Sequence, residues 1–191
     1  MQKSGLASLA MFFCDFRDDK KRDLRGILSS LLAQLCRQSD SYCDLLSEFY
    51  SKYDNGSQDP SDDALCQCLV NLLKFLGQAP VYLIIAALNC CPSTSNLPSP
   101  REVVLSFVEE LVELRLTNLR ICITSRPEID IKAILEPLTF SPVSIHNERG
   151  HKEDITNYIR SVINMYSNNR RWKQEDKQLV IEVLTECADG V

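Results

Sequence analysis

Apolar residues along this chain repeat with two different periods, and the alternation between them sets the expected order of elements. Residues 6–14 (LASLAMFFC), 81–91 (VYLIIAALNCC) and 119–124 (LRICIT) are short apolar runs, the second flanked by Gly77 and Pro80 before it and Pro92 after it. Runs shorter than a typical helix and bounded by turn formers predict strands. The near-continuous apolar character of VYLIIA predicts, further, a strand covered on both faces, with helices above and below. Between these runs the period lengthens. Leu24, Ile27, Leu28, Leu31, Leu32 and Leu35 fall on one face of a helix running from Arg22 to Arg37. A second helical piece covers 41–53, and the loop DNGSQDPSDD leads to a third over 64–76, with Leu65, Cys68, Leu69, Leu72 and Leu73 on one side.

Ser99, Pro100 and Glu102 stand at the N-cap, N1 and N3 positions of a capping box, opening a helix that runs to about Leu114. After LRICIT, the phrase SRP breaks the strand. A short helix (IDIKAILEPL, 129–138), a further strand (SPVSIHN, 141–147) and helices over 152–164 and 174–188 complete the pattern. Strands alternating with helices predict α/β architecture, a partial doubly wound parallel sheet. The expected division is an α/β core over 1–150 followed by a helical segment over 151–191. Such sheets bind ligands outside the carboxyl ends of their strands. The positions to inspect are therefore Asp15 to Arg17, Ala86 to Cys91 and Thr124 to Pro127.

Composition narrows the function classes. The chain has 191 residues, 45% hydrophobic and 25% charged, enough for a sizeable core. A formal charge of −5, with no long Lys/Arg cluster, argues against a nucleic-acid partner. No apolar stretch approaches the roughly 20 residues of a membrane span, and no signal-peptide layout opens the chain, so a cytoplasmic protein without a membrane partner is expected. The nine cysteines are scattered through apolar runs without a CxxC pair, and the two histidines, His146 and His151, lie far from most of them. Reduced core cysteines are expected rather than a zinc site or a disulfide framework. No Ser-x-Gly elbow and no HExxH sequence occurs.

The phrases FFCDFRD (12–18), LRGILSSLLAQL (24–35), VYLIIAALNCCP (81–92), LRICITSRPE (119–128) and ADGV (188–191), in this order, resemble the NACHT domains of fungal STAND proteins, the nephrocystin-3-like group of signalling P-loop NTPases. The resemblance implies an ASCE-type P-loop fold with strand order 5-1-4-3-2, in which the first strand here is the family's second. VYLIIAALNCC then becomes the Walker-B third strand, LRICIT the fourth and SPVSIHN the fifth. Adjacent parallel strands in the order 4-3-2 test this against an accidental likeness.

Two departures bear on activity. No Walker-A segment is present: the six glycines are far apart and none precedes a lysine, so nothing cradles a phosphate. Where the family phrase is close to D-A-L-D-E-C, the acids are replaced by Ala86, Asn89 and Cys90. Phosphoryl transfer rests on positioning and charge neutralisation, which an alanine methyl, an amide and a thiol do not supply. The sensor-1-like Thr124, Ser125 and Arg126 remain as weak nucleotide-facing candidates, with a strand end and capped turn as their alternative role. Asp15 and Arg17 are expected to form a local salt bridge.

The expected function is therefore a degenerate NACHT-like domain without NTPase activity, a structural or regulatory signalling module with protein partners or self-association and no cofactor. The alternative is part of an active switch binding ATP or GTP with Mg²⁺, its P-loop lying in upstream sequence. In the family order the missing strand lies between the fourth and fifth. The edge of LRICIT is then either exposed or paired with SPVSIHN.

Overall fold

The computed structural model describes residues 7–75, 79–94, 98–144, 151–165 and 172–188. Expectations that fall on Leu6, Leu76, 145–147, 166–171 and 189–191 lie outside these residues. The chain divides into two compact units, Met1–Thr139 and Phe140–Val191.

The first unit runs β1 (Ser8–Phe13), α1 (Leu24–Cys36), α2 (Asp40–Lys52), α3 (Asp62–Phe75), β2 (Val81–Ala86), α4 (Pro100–Glu113), β3 (Leu119–Ile123) and α5 (Ile129–Leu138). Local chemistry sets the helix starts. The Asp23 side chain accepts the Gly26 N–H at the head of α1. Here the chain is so close that a Cβ on Gly26 would lie 2.0 Å from the Lys20 carbonyl oxygen, which leaves glycine as the residue that fits. At the head of α4 both halves of the Ser99/Glu102 capping box form, with Pro100 at N1.

The three strands are parallel, in the order β1-β2-β3, with Phe12 opposite Ile85 and Ile85 opposite Ile123. This is the 4-3-2 adjacency expected above. Ala10, Phe12, Val81, Leu83 and Ile85 are buried and share one core with the apolar stripes of α1, α3 and α4. The partner face differs from expectation. Met11, Phe13 and Tyr82 on it are 39%, 60% and 43% exposed, and Arg120 and Cys122 are exposed beside them. Among the described residues, helices therefore cover one face of the sheet, not two. The cause is topological. Parallel crossovers are right-handed, and the steps β1 to β2 and β2 to β3 run the same way across the sheet, so both deposit their helices on the same side.

The two edges of the sheet also differ. On β1, Gln38 Oε1 accepts the Leu9 N–H at 3.0 Å while Gln38 Nε2 donates to the Leu9 carbonyl at 2.7 Å. One helical turn earlier, Gln34 does the same for Met11, at 3.0 and 2.7 Å. Two side-chain amides, one on α1 and one just past its end, thus stand where a neighbouring strand would. On β3 the ladder bonds from Val81 N–H to Asn118 and from Thr124 N–H to Ile85 point toward β2. The alternation of a parallel ladder then turns the amide and carbonyl of Ile121 and Ile123 outward. No described residue pairs with that edge. Residues 141–144, expected as the start of a strand, are exposed and form none. Pro142 lacks an N–H to give a ladder.

The second unit contains α6 (His151–Met165) and α7 (Gln174–Cys187). Its two helices meet at Thr156 and Thr185, whose hydroxyls are 3.3 Å apart, with Ile163 and Ile181 buried. Among the described residues no helix is long and apolar enough to cross a membrane.

Candidate functional site

Three loops converge at the carboxyl ends of the strands, and one of them is under backbone strain. β2 ends at Ala86, and Ala87 adopts the left-handed conformation (φ 56°, ψ 43°), uncommon for a residue with a Cβ. This turns the chain into a short 3-10 helix over Leu88–Cys90. The strained turn is held from β3: the Ala87 N–H donates to Thr124 Oγ1 at 3.1 Å and the Leu88 N–H to the Thr124 carbonyl at 3.0 Å. In return Asn89 Oδ1 accepts the Arg126 N–H at 3.1 Å. From the other side, the Cys14 N–H donates to the Ala86 carbonyl at 2.9 Å.

Ala86, Asn89, Thr124 and Arg126 are thus brought together as the sequence pattern predicts, with Thr124 Oγ1 and Asn89 Oδ1 each taken up by a backbone N–H of the neighbouring loop. The Ser125 hydroxyl donates to the Arg126 carbonyl, and the Thr124, Ser125 and Arg126 side chains are exposed. Asp15 and Arg17 form the local pair expected of them, with Nε to Oδ1 and NH2 to Oδ2 both at 3.1 Å. Arg17 holds the Asp15 carboxyl below its ordinary pKa, chiefly through that side-chain hydrogen bond.

The residue that organises the site is Arg101, which the sequence reading passes over between its capping residues. Its side chain is 8% exposed. Nε donates to the Cys91 carbonyl at 3.0 Å and NH2 to the Asn89 carbonyl at 2.9 Å. NH1 binds Glu128, and Asp130 at 3.0 Å. One guanidinium therefore ties the loop after β2 to the start of α5. Burial alone lowers the Arg101 pKa, but the hydrogen bonds to Asp130 and Glu128 outweigh it and the net shift is upward. The signal was present in the sequence: Arg101 precedes Val104, Leu105 and Val108 by three, four and seven residues, which places a charge on the buried stripe.

The cysteines are all unpaired thiols. The expectation of core cysteines holds for Cys14, Cys36, Cys68 and Cys91, whereas Cys43, Cys122 and Cys187 are exposed. Cys122 lies on the uncovered sheet face.

A magnesium–triphosphate group does not fit the residues this chain supplies here. Magnesium takes carboxylate oxygens and water, and the turn after β2 offers Ala86, Asn89 and Cys90. The nearby carboxylates of Glu128 and Asp130 are committed to Arg101. Among the described residues no group of three or more His, Cys, Asp or Glu could hold a metal ion.

A family profile described as nephrocystin 3, N-terminal, matches residues 1–126, about two thirds of the chain. The chain belongs to the nephrocystin 3 N-terminal family. The match ends at Arg126, so it takes in all three strands and the loops after β1 and β2, and stops within the loop after β3, before Glu128 and Asp130. Comparison with curated proteins and with solved structures gave no match. For this member of the nephrocystin 3 N-terminal family, the sheet order and the strand-end geometry are the grounds for a functional reading.

Proposed function

We propose that this chain is a cytoplasmic signalling module of NACHT/STAND type that acts by association and does not hydrolyse nucleotide. The carrying observation is the asymmetry of its sheet. The β1 edge is sealed by Gln34 and Gln38, while among the described residues the β3 edge and the apolar face bearing Met11, Phe13 and Tyr82 stand open. An unpaired edge beside an exposed apolar face is a template for a further strand and its helix. The occupant we propose is a strand–helix unit of protein, from a second copy or from further polypeptide. The absence of a carboxylate at Ala86, Asn89 and Cys90 supports a role without turnover.

The test is the molar mass of the chain by light scattering, from micromolar concentration upward, with Cys122→Lys as the variant. That substitution sets a charge on the open face next to the β3 edge without entering the core. Concentration-dependent association, weakened about tenfold by the lysine, about 1.4 kcal/mol, is the expected outcome. A strictly monomeric, sharply melting chain whose β3 amides resist hydrogen exchange would refute the proposal.

The open edge also favours a second reading, an ATP- or GTP-driven switch whose phosphate loop and strand come from upstream sequence and complete the sheet beside β3. Hydrolysis by an extended protein, abolished by substituting its phosphate-loop lysine, would establish that reading over the first.

A further inference from the structure

Where β1 and β2 end, two thiols face each other in the core. Cys14 and Cys91 are 5% and 0% exposed, and their Sγ atoms are 3.6 Å apart although 77 residues separate them in sequence. Both backbones are anchored: the Cys14 N–H is bonded to the Ala86 carbonyl, and the Cys91 carbonyl accepts Nε of Arg101. Cys14 and the half-buried Cys90 line a cavity of about 510 Å³ at the end of β1, which gives a small oxidant a route to the Cys14 side of the pair.

We infer that Cys14 and Cys91 form a disulfide-forming redox site, oxidised by hydrogen peroxide or a similar small peroxide, that staples the end of β1 to the loop carrying Asn89. Bond formation needs the sulfurs to close to about 2.05 Å, a short approach for two side chains already in contact. Contact with Cys14 lowers the Cys91 pKa, with the positive charge of Arg101 adding to it, while the Cys14 pKa is raised by the same contact. One thiol of the pair, once deprotonated, attacks one peroxide oxygen, the O–O bond breaks, and hydroxide leaves and takes the proton of the other thiol to become water. That second thiolate then attacks the sulfenic sulfur and expels a second hydroxide, which recovers the proton the first thiol had released. Two thiols and one peroxide become one disulfide and two waters.

The redox state of the pair reaches the rest of the site because the stapled loop is the one held by Arg101 and bonded to the Arg126 amide. The experiment treats the reduced full chain, carrying Cys43→Ser, Cys122→Ser and Cys187→Ser to silence the exposed thiols, with hydrogen peroxide. Peptide mapping without reductant then reads the links. A Cys14–Cys91 link is expected, with the thermal midpoint raised by about 5–10 °C and restored by dithiothreitol. Cys90→Ser keeps the link and the shift, whereas Cys14→Ala and Cys91→Ala lose both. Finding Cys14 and Cys91 still free after Cys90 is fully oxidised, or finding Cys90 in the link, overturns the inference. If neither alanine variant folds, the peptide map of the unsubstituted pair decides alone.

Discussion

The outer strands of this sheet are of nearly equal length and equally parallel to β2, yet the protein finishes them in opposite ways. β1 gives its outward amides and carbonyls to Gln34 and Gln38, spaced one helical turn apart so that each serves one residue of an alternating pair, Met11 and Leu9. β3 has no such cover among the described residues, and its residues are at best half-buried. A sheet that blocks one edge with four hydrogen bonds and leaves the other bare is directional. It can grow beside β3 and not beside β1.

The largest expected effect tests the corresponding contrast between faces. Ile85 is fully buried under α1, α3 and α4, so Ile85→Ala is expected to cost about 2–5 kcal/mol in urea unfolding, including the cavity it leaves. Met11, on the open face, is already 39% exposed, and Met11→Ala is expected to cost less than about 1 kcal/mol. Equal losses at the two sites would mean that something covers the second face in solution.

A smaller effect is expected from unsealing β1. Gln34→Ala combined with Gln38→Ala removes six side-chain hydrogen bonds, four of them to β1, from partly solvated groups, for a loss of about 1–3 kcal/mol. Its more telling outcome is association: a chain with two bare edges is expected to form open-ended assemblies where the parent forms at most closed ones. Light scattering separates these. A double variant that associates no more than its parent would show that the glutamines hold α1 rather than guard the edge.

Much of this was legible in the sequence, and the misses have definite causes. Apart from the strand expected from residue 141, the strand and helix positions followed from the two periods, and the 4-3-2 adjacency from the ordered family-like phrases. The covering of the sheet did not. Met11, Phe13, Tyr82 and Ile84 are as apolar as the core set Ala10, Phe12, Leu83 and Ile85, so no alternation betrayed which face was open. Crossover handedness, applied to strands stepping in one direction, would have revealed it. Gln34 falls on the polar side of the expected helix and Gln38 just beyond its end, and nothing marks either as a cap, because an edge cap has the same polarity as a surface. Thr124 and Asn89 were correctly placed at the strand ends. That they bond to the neighbouring loop backbones depends on the Ala87 turn, which periodicity does not encode.

The smallest effect concerns acid and the loop behind β3. The Asp130 carboxyl is half-exposed: its partial burial raises its pKa, but the hydrogen bond from Arg101 prevails and the net shift is downward. A carboxyl whose pKa is depressed on folding contributes stability that is complete above its unfolded value, about 3.9, and is lost as pH falls through the lower folded value. The chain is therefore expected to lose this contribution only below about pH 4, and its size, screened by solvent, is under about 1 kcal/mol. Asp130→Asn removes the titration, so the difference in unfolding free energy between variant and parent should shrink as pH falls from neutrality toward 3. In Asp15→Asn the same comparison should be nearly flat, because its partner Arg17 is 75% exposed and ties no second loop. If the Asp15 substitution showed the steeper pH dependence, the anchoring of the strand ends would lie with β1 rather than with Arg101 behind β3.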